Sequence, residues 1–85
     1  MGLKSLFLRN KLQSAEREAK KLHGLQRRVR TQLDDLNQQK RKGMDAAKYE
    51  DRKAKLETRR HEIIEKLKHV EEKERQLRAE VKSTS

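Results

Sequence analysis

Apolar residues along this chain return at alternating intervals of three and four. The first half gives Leu8, Leu12, Ala15, Ala19, Leu22, Gln26, Val29, Leu33, Leu36 and Lys40. The second gives Ala46, Tyr49, Lys53, Leu56, Arg60, Ile63, Leu67, Val70, Glu74, Leu77 and Val81. Because an α-helix turns once every 3.6 residues, this spacing lays a narrow seam along one face of each half. With Leu8 at heptad position d and Leu12 at a, every d position is apolar, whereas the a positions admit Gln26, Lys40, Lys53, Arg60 and Glu74.

Between the two seams lies "KRKGMDAAKYE". Gly43 can adopt the left-handed backbone that ends a helix, and Lys40, Arg41 and Lys42 precede it where the helix dipole is negative. Asp45 is then the cap of a second helix beginning at Ala46. Folding the chain back here pairs Leu36 with Tyr49, Val29 with Leu56, Leu22 with Ile63, Ala15 with Val70 and Leu8 with Leu77. Each pair is equidistant from the turn. Turn, period and register agree, which is the mark of a specified fold. The prediction is an all-α, two-helix antiparallel coiled-coil hairpin forming one unit over residues 1–85. Helix 1 spans about 3–42, the turn about 42–45 and helix 2 about 46–82, with arms roughly 55 Å long. The seam is thin, and long polar side chains at a can only lay their stems along it. Self-association into a bundle, or a partner, is expected to add to it.

Composition narrows the function. Only 31% of residues are hydrophobic and 45% are charged, too little apolar material for a globular core of ordinary thickness. Proline and cysteine are absent, which favours long helices and excludes disulfides and cysteine-based metal sites. No run approaches the roughly 18 apolar residues that a transmembrane helix needs. His61 and Glu65 share a helix face, but two ligands make no metal site, and "HEIIE" lacks the second histidine of a metalloprotease helix. No phosphate-binding glycine loop or nucleophile motif is present. The expectation is therefore a non-enzymatic protein without cofactor, metal or small-molecule substrate.

Charge is the distinctive property. The net charge is +10, and residues 1–42 hold twelve Lys/Arg against four Asp/Glu, while residues 43–85 hold twelve against ten. Charged pairs recur every seven residues at Lys20-Lys21, Arg27-Arg28, Asp34-Asp35 and Arg41-Lys42, on positions b and c, away from the other arm. Lys20, Lys21, Arg27, Arg28, Arg30, Lys40, Arg41 and Lys42 are the candidate anion-binding residues, for lipid headgroups or for phosphates. Continued toward the N-terminus, the same outer face becomes apolar at Leu3, Leu6 and Phe7, the candidate docking tip. On the flanks, the register sets Glu16 by Glu71, Lys11 by Lys73 and Arg9 by Arg78, three like-charge contacts at the open end.

An apolar, basic start, "MGLKSLFLRNK", leading into a basic helix that hairpins onto a charged second helix, is similar to the N-terminal hairpin of ESCRT-III and PspA-type membrane-remodelling proteins. The resemblance implies an N-terminal segment that enters membrane and a first helix that faces lipid. From the residues themselves, the leading expectation is a structural or adaptor module that docks on a protein partner or on a second copy. Peripheral binding to an anionic membrane surface and nonspecific nucleic-acid binding through phosphate contacts are the alternatives. Only Phe7 and Tyr49 are aromatic, so no stacking platform supports the last. A cytoplasmic location, with peripheral membrane attachment as a variant, is expected. Mitochondrial import is a further alternative, since the first fifteen residues hold three bases and no acid.

Overall fold

A computed structural model describes residues 2–84. Two long helices, α1 (Leu3–Arg41) and α2 (Ala46–Thr84), pack against each other as an extended hairpin measuring 63 × 15 × 14 Å. The predicted all-α hairpin is the observed fold.

The turn is closed by backbone geometry. Lys42 caps α1, and Gly43 follows at φ +113°. The Gly43 amide donates to the Lys40 carbonyl at 3.1 Å and the Met44 amide to the Gln39 carbonyl at 3.2 Å. These two bonds make a Schellman motif, which satisfies carbonyls that the helix end would otherwise orphan. Across the turn, the Asp45 carbonyl accepts from the Tyr49 amide at 3.0 Å, the first intrahelical bond of α2. The other end of α1 differs: Gly2 is extended, the first turn carries no acid, and no side chain caps it.

The d layer is buried almost from end to end. Leu8, Ala15, Leu22, Val29, Leu36, Tyr49, Ile63, Val70 and Leu77 are all buried, and Leu56 is half-buried. The a layer is uneven. Ala19 and Leu67 are buried and Leu12 and Leu33 half-buried, but Lys40, Ala46, Lys53 and Arg60 stand exposed. The seam is therefore fuller toward the open end, where the main core cluster runs from Leu8 to Val29 on α1 and from Ile63 to Leu77 on α2. Near the turn, polar anchoring supplements it. The Tyr49 hydroxyl donates to Asn37 Oδ1 at 2.8 Å, and Lys40 Nζ lies 4.2 Å from the Tyr49 ring centroid.

At the open end, two residues that the register set in like-charge contacts have other partners across the seam. Arg78 reaches Glu16 at 3.6 Å and Glu71 lies 3.9 Å from His23, while Glu16 and Glu71 border one groove. The reason is the lean of helical side chains toward their own N-terminus. In an antiparallel hairpin the two arms lean in opposite directions. Side chains that converge are thus displaced by about one heptad from those whose Cα atoms are level. Counting heptads locates backbones; long side chains meet elsewhere.

Candidate functional site

The outer face of α1 is one continuous exposed stripe. Leu3, Leu6, Phe7, Asn10, Gln13, Ser14, Arg17, Lys20, Lys21, Gly24, Arg27 and Arg28 lie along it, and all are exposed. At its start, Leu3, Leu6 and Phe7 are 86, 58 and 56% accessible, and they are the large hydrophobic side chains left in solvent among the described residues. They join Lys4 and Asn10 around a shallow apolar depression. Lys11 Nζ lies 4.6 Å from the Phe7 ring centroid, a cation–π contact that holds the ammonium beside the patch.

Further along, the eight candidate cations Lys20, Lys21, Arg27, Arg28, Arg30, Lys40, Arg41 and Lys42 are all exposed. They do not form one cluster. Lys20, Lys21, Arg27 and Arg28 share the outer stripe, Arg30 lies on the flank with Glu57 and Arg60, and Lys40, Arg41 and Lys42 crowd the turn. Asp34 and Asp35, also exposed, separate the stripe from the turn.

The two arms manage charge in opposite ways. On α2, Asp51–Lys55 (3.2 Å), Glu57–Arg60 (3.7 Å), Glu65–Lys68 (3.4 Å), Glu72–Arg75 (3.3 Å) and Glu74–Arg78 (3.1 Å) pair at intervals of three or four. Each is a neighbour contact on one helix face. Among the described residues, none of the twelve Lys and Arg side chains from Lys4 to Lys42 makes an ion pair. On that arm, Glu16 meets Arg78 and His23 lies 3.9 Å from Glu71, both across the seam with α2.

The heptad reading passed over a second polar cluster, at the open end. Glu16, His23, Glu71, Glu74 and Arg78 line one groove, and Lys20 and Arg27 at the edge of the stripe border it. Glu74 is only 8% accessible; its Oε2 accepts from Arg78 while its Oε1 has no hydrogen-bond partner. The signal was a glutamate at an a position with an arginine four residues on. No group of three or more His, Cys, Asp or Glu that could hold a metal ion occurs among the described residues. Nor, among them, is any helix long and apolar enough to cross a membrane.

No protein-family model, curated protein or solved structure matches this chain.

Proposed function

We propose that this hairpin is a non-enzymatic adaptor module whose first helix docks, by its outer face, on an anionic partner surface. The observation that carries the reading is the unpaired charge of α1. Its cations are exposed and make no ion pair, while α2 neutralises much of its own charge within its own turns. Exposed cations are hydrated and screened, so they add little to the fold. They attract a polyanion strongly, because many are presented along one line. α2 serves as the backing strut that keeps α1 straight.

The test is retention on heparin, a generic polyanion. The quadruple change Lys20→Glu, Lys21→Glu, Arg27→Glu and Arg28→Glu is expected to abolish retention at physiological salt. Four reversals on the other arm, Lys55→Glu, Lys68→Glu, Arg75→Glu and Lys82→Glu, alter net charge equally and are expected to retain most of it. Equal loss from both sets would mean that only net charge matters and would sink the reading.

A further inference from the structure

The apolar start of the stripe asks for more than an anion. We infer that the partner surface is an anionic lipid bilayer, on which α1 lies flat with Leu3, Leu6 and Phe7 at the acyl boundary. The inference rests on the docking reading above and adds the chemistry of the occupant.

Three features select that occupant. First, the apolar patch and the cations share one helix face, as spacing 3, 6, 7, 10, then 13, 14, 17, 20, 21 requires. A flat surface that is apolar inside and anionic at its rim meets both at once; an interfacial helix with a polybasic extension binds in this way. Second, the patch is edged by cations, with Lys4 on its rim, Lys11 held against Phe7 and Arg9 close by in sequence. No acid occurs before Glu16 in sequence, and Glu80 of α2, which shares the groove behind the tip with Lys4, Leu8 and Ala79, lies on the seam side. A second copy of this chain would bring the same cationic edge against itself, so self-association through the tip is repelled. Third, α2 is placed to stay clear. Its c and f positions, which face away from α1 and so away from the surface, hold Asp51, Glu62, Glu65 and Glu72 beside Lys48 and Lys55, so that face lacks the one-sided cationic excess of α1.

The footprint has an end. Asp34 and Asp35 stand on the same exposed stripe just past Arg28 and Thr31, and anionic headgroups repel them. Contact therefore runs from Leu3 to about Arg28 and lifts before the turn. Nucleic acid fits the tip less well. Three aliphatic and aromatic side chains there have no phosphate to meet, and Tyr49, the other aromatic residue, is buried.

The experiment places a reporter in the tip of the full chain. Phe7→Trp is read by tryptophan emission with vesicles of phosphatidylcholine alone, vesicles containing phosphatidylserine, and vesicles whose lipids carry bromine on the acyl chains. Gln76→Trp, on the exposed face of α2, is the control. The expected result is a blue shift and bromine quenching of Trp at position 7 with anionic vesicles only, and neither for position 76. The pair Leu6→Ser and Phe7→Ser, both exposed and outside the core, is expected to weaken partitioning to phosphatidylserine vesicles by roughly 10- to 100-fold. Circular dichroism checks that both variants keep their helices. If vesicles float the chain while Trp at position 7 stays unshifted and unquenched, charge alone binds lipid, and the tip inference falls while the docking reading stands. The same split follows if the chain binds heparin through Lys20, Lys21, Arg27 and Arg28 but ignores anionic vesicles. Loss of heparin binding selectivity would remove both.

Discussion

Glu74 is the residue whose placement runs most against its chemistry. A carboxylate at 8% accessibility, with one oxygen bound to Arg78 and the other unpartnered, carries a desolvation cost that a single ion pair offsets only in part. Arg78 has a second anion at hand, because Glu16 stands 3.6 Å from it. Removing the buried carboxylate therefore does not strand the guanidinium. Glu74→Leu is expected to raise stability by about 1 kcal/mol, since an apolar side chain joins the layer of Leu12, Leu67 and Leu77. Urea denaturation followed by circular dichroism checks this. The midpoint should rise with an unchanged slope, and a fall would show that Arg78 needs Glu74 more than Glu16.

At the scale of the helices, two glycines separate turn from shaft. Gly43 sits at φ +113° with nothing within 4 Å of where a Cβ would be, so the cost of a side chain there is backbone strain alone. Gly43→Ala is expected to destabilise the hairpin by about 1–2 kcal/mol. Gly24 lies mid-helix in open space, and Gly24→Ala is expected to stabilise by about 0.5–1 kcal/mol. Opposite signs from the same substitution in thermal melts are the expected outcome; a shared sign would show that the turn is not held as described. This turn was legible in sequence because glycine after three cations and before an aspartate has few other uses. The d layer was legible too, since a two-helix rod has one place to put Leu22, Val29 and Ile63. The exposed a positions near the turn were half legible: Lys53 and Arg60 are poor seam residues, and they stay in solvent while Tyr49 anchors that end. The clasp of Glu16 with Arg78 was not legible. Heptad counting levels Cα atoms, and the clasp is made by side chains that lean in opposite directions along the two arms. The candidate stripe could be read from the dyads and the apolar tip, whereas the lack of ion pairs along α1 needed side-chain positions.

For the whole molecule, shape and charge together set how the rod responds to salt. The chain exposes 6993 Å². A globular protein of its 10.2 kDa mass exposes about 5,300 Å², so the hairpin buries less than a compact fold and has little stability to spare. Against that thin margin stands a net charge of +10, most of it on one arm. Salt acts on two opposed terms. It weakens the neighbour pairs of α2, but each exposed pair contributes only about 0.3–0.5 kcal/mol. It also screens repulsion among the twelve cations from Lys4 to Lys42, which only four acids on that arm oppose and which make no ion pair. Neighbouring dyads lie two helical turns apart, about 11 Å, close to the Debye length at 0.1 M salt. Screening therefore begins to relieve them at moderate ionic strength. With twelve cations against four acids on the first arm, repulsion is expected to outweigh the pairs, and the melting temperature to rise as sodium chloride increases from a few millimolar toward physiological strength. The α1 quadruple reversal removes that repulsion and should flatten the dependence, which scanning calorimetry of both proteins at matched concentrations would read. A melting temperature that falls with salt in the parent chain would mean that the ion pairs of α2, and not the bare charge of α1, dominate its electrostatics.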